Sequence, residues 1–84
     1  MVRVQVRFYA QARVAAGATR LDRAIASSDA SVGDLLRQLK EENPSLASVL
    51  SISRVAVNGE YVDGLGFRLR TGDEVAIHPP FSGG

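Results

Sequence analysis

Val2, Val4, Val6 and Phe8 alternate with Arg3, Gln5, Arg7 and Tyr9 at the start of the chain. Period two with β-branched residues on one side predicts a half-buried strand, with Phe8 turned in and Tyr9 turned out. Residues 10–16 are rich in alanine and fit a short helical turn, which Gly17 ends as a helix C′ glycine does. Residues 19–26 are less regular. Leu21 and Ile25 share a side, but Arg23 lies between them on that side, so a bulged or edge strand is expected. Ser27, Ser28 and Asp29 make a turn. Ser31 then opens a helix as its N-cap, and Asp34 completes a weaker form of the capping box. Val32, Leu35, Leu36 and Leu39 fall at i, i+3, i+4 and i+7, which is one apolar stripe. Pro44 pushes Asn43 toward extended backbone and ends the helix. Leu46, Val49 and Leu50 form a further turn over the core.

Residues 54–58 alternate again, with Val55 and Val57 inward. Asn58-Gly59 is the strongest two-residue hairpin signal. It sets Val57 opposite Glu60 and Ala56 opposite Tyr61. Tyr61 is thereby turned outward and Val62 inward, and Glu60 is left at the rim on the core side. Leu65, Phe67 and Leu69 give another alternating stretch, read as strand. A turn at Thr71-Gly72-Asp73 leads to a last strand with Val75 and Ile77 inward, Ala76 and His78 outward. One helix with one apolar stripe must cover a mixed sheet. The expected class is therefore α+β. The expected architecture is a β-grasp (ubiquitin-like) fold, a mixed sheet of about five strands curled around one main helix. Residues 1–78 form that domain, and residues 79–84 a flexible C-terminal Gly-Gly tail.

Composition narrows the function classes. The chain has 84 residues, 45% of them hydrophobic, enough for one small core. Ten basic and nine acidic side chains leave a net charge of +1, which argues against nucleic acid or membrane binding by bulk charge. Every basic residue but Lys40 is an arginine. Cysteine is absent and His78 is the sole histidine, so neither a disulfide framework nor a metal site is expected. No apolar run is long enough to span a bilayer and no signal peptide is visible; a cytoplasmic protein is expected.

Candidate chemistry is sparse. No serine is placed beside His78 in a nucleophile–base arrangement, and the carboxylates are scattered. Gly64-Leu65-Gly66 has no following helix to make a phosphate loop. His78 reads as a surface or interface ring. What remains is Pro79-Pro80-Phe81-Ser82-Gly83-Gly84. The prolines stop the sheet, and two glycines carry the terminal carboxylate on a stalk thin enough to enter a partner's tunnel. A frayed terminus would have the same look. A free carboxylate is an inert anion. It becomes an acyl donor when ATP converts it to an acyl-adenylate, which passes to sulfur as a thiocarboxylate or to an amine as an amide.

Phe8-Tyr9-Ala10-Gln11-Ala12-Arg13, Val57-Asn58-Gly59 and Gly72-Asp73-Glu74-Val75 leading into the Pro-Pro-x-x-Gly-Gly end resemble the small, sulfur-carrier subunit of molybdopterin synthase. The resemblance runs over essentially the whole chain. It implies that an E1-like enzyme adenylates Gly84 with ATP and that a sulfur donor makes the thiocarboxylate. It implies that the tail enters the large synthase subunit and gives its sulfur to cyclic pyranopterin monophosphate, twice per dithiolene. Gly83 is then needed for access, and Tyr9, Tyr61, His78, Phe81 and Ser82 for partner contact. Strand phasing independently turns Tyr9, Tyr61 and His78 away from the core. His78 departs from the apolar residue usual at its position in that family. No cofactor is implied on the chain itself, and ATP belongs to the activating enzyme. The chain is then not catalytic alone. Carriers for thiamine or cysteine synthesis share this chemistry. Two other classes stay open: a ubiquitin-like modifier conjugated through Gly84, and a β-grasp interaction domain with an incidental Gly-Gly end.

Overall fold

The alternation at the start of the chain builds strand β1, Val2–Phe8, whose four apolar side chains are all buried. The computed structural model describes residues 1–27 and 29–80. Helix α1, Ala10–Ala16, follows and stops at Gly17, where φ is 72°, a left-handed value that glycine adopts at little cost. Strand β2, Arg20–Ile25, pairs antiparallel with β1 and lies at the sheet edge. Arg23 sits opposite Val4, on the core-facing side. It reaches the rim, where its Nε donates to Glu42 at 2.6 Å. The charge that interrupts the apolar pattern thus ties the edge strand to a helix.

That helix is α2, Val32–Glu42, and its predicted stripe of Val32, Leu35, Leu36 and Leu39 is wholly buried. Helix starts leave amides without intrahelical partners. Here they are met in two ways. The Ser31 hydroxyl accepts from the Asp34 N–H at 3.2 Å, and the Asp34 carboxylate accepts from the Ser31 N–H at 3.1 Å. The N–H groups of Val32 and Gly33 donate to the carbonyls of Phe67 and Leu65 at 2.9 and 2.8 Å. Gly33 lets that loop come close, since a Cβ there would lie 3.1 Å from the Leu65 Cβ.

This contact corrects one expectation. The alternation of Leu65, Phe67 and Leu69 is not a strand; only Leu69 is buried, with Leu65 and Phe67 60% and 42% exposed. The backbone there serves the helix end, and a single bridge joins Arg68 to Ser31. A short 3-10 turn, Pro44–Leu46, and helix α3, Ala47–Ile52, bury Leu46, Val49 and Leu50 as the sequence indicates.

Strands β3, Arg54–Val57, β4, Glu60–Tyr61, and β5, Glu74–His78, complete a five-stranded sheet in the order β2-β1-β5-β3-β4. The central β1–β5 pair is parallel and the others antiparallel, so the sheet is mixed. Asn58 and Gly59 take φ of 51° and 87°, and the hairpin register is the predicted one. Glu60 escapes the core by being exposed at the rim. Asn58 also braces β5: its side chain accepts from the Glu74 N–H and donates to Asp73, both at 2.9 Å. The inner sheet face and α2 enclose Phe8, Leu35, Leu39, Leu46 and Ile77, each at most 1% exposed. Burying each contributes about 1.5–3 kcal/mol relative to exposure. This is the α+β β-grasp arrangement, with α2 as its one main helix. No helix of the described residues is long and apolar enough to cross a membrane.

Candidate functional site

The outer face of the sheet carries the residues that packing does not use. Alternation places Arg3, Gln5, Arg7 and then Tyr9 on that face of β1. Tyr9 extends the β1–β5 pairing by one residue, since its N–H donates to the Ile77 carbonyl at 3.3 Å. Ala10 then takes φ of 50°, unusual for a residue with a Cβ, and turns the chain into α1. His78 ends β5 and stands opposite Arg54. One row below, Arg7, Ala76, Ala56 and Tyr61 lie side by side across β1, β5, β3 and β4. Ala56 and Ala76 are small, so larger neighbours lie over them. They are only 4% and 8% exposed although they stand outside the core cluster.

The large side chains form a continuous row. The rings of Tyr9 and His78 stack with centroids 4.5 Å apart and planes 8° from parallel. Tyr61 meets His78 edge-on at 5.7 Å and 72°. The Arg54 guanidinium lies 3.9 Å from the Tyr61 ring centre, and that of Arg7 lies 5.9 Å from Tyr9. An aromatic pair contributes about 0.5–1.5 kcal/mol beyond area burial, and an exposed cation–π contact about 0.5–1 kcal/mol. The row is therefore held together by contacts within the chain. Tyr9 remains 38% and Tyr61 54% exposed, so the row presents a contiguous aromatic patch to solvent. Arg7 also reaches Glu74 at 3.7 Å, an exposed pair of little energetic weight.

Tyr9, Tyr61 and His78, three separate predictions from strand phase, thus come together in one patch. Phe81, Ser82, Gly83 and Gly84 lie outside the described residues. Sequence reasoning missed Arg54 and the two alanines. Their signal was present, since Arg54, Ala56 and Ala76 all have outward parity. His78 makes no hydrogen bond to a carboxylate or hydroxyl among the described residues; its contacts there are the rings of Tyr9 and Tyr61. Asp34 is held below the usual carboxylate range by the Ser31 N–H first and Arg37 next. It belongs to the cap of α2 and not to this surface.

The ThiS family model matches residues 6–84, from within β1 through the tail. The chain belongs to the ThiS family. Its relatives include the "Molybdopterin synthase sulfur carrier subunit" of Chlamydomonas reinhardtii, 37% identical over 84 residues, covering 99% of this chain and 100% of that one. The protein so named from Dictyostelium discoideum is 42% identical over 52 residues, 61% of this chain and 60% of its own length. Among solved structures, SAMP1 from Haloferax volcanii superposes with a TM-score of 0.86 at 31% identity, covering 98% of this chain and 99% of that one. The ThiS match takes in Tyr9, Tyr61 and His78 together with the Gly-Gly end.

Proposed function

We propose that this chain is the sulfur-carrier subunit of a molybdopterin synthase, with Gly84 as the carrying residue. The observation that carries this reading is the end-to-end relationship with the Chlamydomonas protein of that name. The fold adds a mechanical reason. β5 is a central strand, buried at Val75, Ala76 and Ile77, and it runs straight into Pro79-Pro80. A rigid strand thus delivers the tail from the end of the aromatic row. A partner that grips the row lies beside Pro79-Pro80, where the tail begins, which is positioning by prior binding.

In this reading the Gly84 carboxylate attacks the α-phosphorus of ATP in an E1-like adenylating enzyme, and pyrophosphate leaves. Sulfur at the sulfide level, supplied by a separate donor, displaces AMP and forms the thiocarboxylate. In the large synthase subunit that sulfur bonds to a carbon of the pyranopterin precursor, and the oxygen substituent of that carbon leaves. Water then cleaves the acyl–sulfur bond and returns the carboxylate, its oxygen replacing the sulfur. The chain supplies the handle and the acyl group; the active sites are the partners', and no cofactor is held by the chain itself. Tyr9, Tyr61 and His78 contact those partners together with Phe81 and Ser82, while Gly83 gives the tail passage.

Deleting Gly84 tests the reading. The expected result is complete loss of molybdopterin formation in the reconstituted synthase with a thermal midpoint unchanged, because the core described among residues 2–77 stays intact. Retained activity would end the carrier reading. One observation favours a second role. Several structural neighbours are named small archaeal modifier protein, among them one from Haloferax volcanii at a TM-score of 0.86. Conjugation through Gly84 would yield high-mass adducts that survive reducing agent. Chains built on side-chain amines could use only Lys40.

A further inference from the structure

Among the outer-face arginines that reach no carboxylate of the described residues, Arg3, Arg20 and Arg54, only Arg54 is held against the aromatic row. Arg7, Arg23, Arg37 and Arg68 each reach a carboxylate of the chain. Among the described residues the Arg54 side chain reaches none and donates no hydrogen bond. It is held instead by the Tyr61 ring at 3.9 Å, beside His78 on the neighbouring strand. A guanidinium packed on a ring keeps its in-plane N–H donors free for a planar carboxylate.

The charges around it share one sign. Arg3 and Arg7 face outward on β1, and Arg20 stands opposite Arg7 on β2. Against Arg3, Arg7, Arg20 and Arg54 the same face carries Asp22, opposite Gln5, and Glu74, also opposite Gln5 and already taken by Arg7. A molecule of net charge +1 thus concentrates its basic character on the face that exposes the aromatic row.

We propose that this face fits a protein partner that is apolar opposite Tyr9, His78 and Tyr61 and acidic around them, and that Arg54 receives a partner carboxylate in a bidentate pair. The inference rests on the carrier reading and deepens it, since it names the chemistry by which the large subunit is recognised. The aromatic centre supplies buried area; Arg54 supplies register and selectivity against surfaces that lack the acid. A stacking row with arginines also suits single-stranded nucleic acid. The acidic Asp22 and Glu74 on the face and the small net charge favour the protein partner.

The test is the affinity of the purified molybdopterin synthase large subunit of the same organism for four proteins: wild type, Arg54→Gln, Arg54→Lys and Tyr61→Ala. Each is measured at low and at physiological salt. Arg54 is exposed, so Arg54→Gln leaves the fold intact, and its thermal midpoint checks this. The expected result is that Arg54→Gln weakens binding about 10–100-fold and flattens the salt dependence. Arg54→Lys restores the salt dependence but only part of the affinity, because an ammonium cannot form the planar pair. If Arg54→Gln binds as wild type while Tyr61→Ala is weakened, the Arg54 pair is wrong and the docking face stands. If wild type does not bind the large subunit at all, the carrier reading falls and this inference with it. Preference for a single-stranded oligonucleotide over the subunit at physiological salt would overturn the protein-partner assignment.

Discussion

Asp34 shows how much one side chain settles at the residue scale. Its carboxylate accepts from the Ser31 N–H and pairs with Arg37 at 2.8 Å, and these contacts hold its pKa below the usual carboxylate range. A carboxylate with a depressed pKa in the folded state stabilises the fold above its unfolded value, about 3.9. That contribution is lost as pH falls through the lower folded value. Asp34→Asn keeps an acceptor for Ser31 but removes the charge. Urea unfolding midpoints of wild type and Asp34→Asn should therefore differ at about pH 6, and the difference should shrink as pH falls below about 4. A difference that persists undiminished at the acid end would contradict this origin. The capping pair was legible because both partners lie within four residues. The role of Arg54 was not. Its partner Tyr61 is set across the hairpin, and parity assigned it a face without a neighbour. The stacking of Tyr9 on His78 depends likewise on the parallel pairing of the first and last strands, which no local pattern reports.

At the scale of elements, the two with complete periodicity were legible and the one with fragmentary periodicity was not. β1 repeats its alternation four times, and α2 shows four stripe positions between a cap and a proline; each pattern has one way to face a core. Leu65, Phe67 and Leu69 alternate over only three positions, which cannot say what the backbone pairs with. The winning partner was the start of α2, whose first amides need acceptors. The central importance of α2 gives a direct prediction. Leu35 is fully buried beneath the sheet, and Leu35→Ala should cost about 2–5 kcal/mol in urea unfolding. Against a total of about 5–15 kcal/mol for a domain, that change alone brings the fold near its limit. A cost under about 1 kcal/mol would mean that the helix is not the keystone described here.

The whole molecule separates its tasks by face. One side of the sheet is sealed by α2 and α3. The other carries an ordered aromatic row ringed by arginines. The central strand β5 serves both, contributing Val75 and Ile77 to the core, His78 to the row, and the chain's exit to the tail. The fold class and the three aromatic positions were readable in the sequence because both follow from alternation. The chemistry proposed at Gly84 is of another kind, since it would depend on enzymes that act on the tail and not on the packing of the chain. Intact-mass analysis of the protein isolated from its own source, under conditions that preserve thiocarboxylate, tests it most directly. The account predicts a population heavier by one sulfur-for-oxygen exchange, localised to Gly84. A terminus that remains plain carboxylate, even after incubation with ATP, a sulfide donor and the adenylating enzyme, would contradict it.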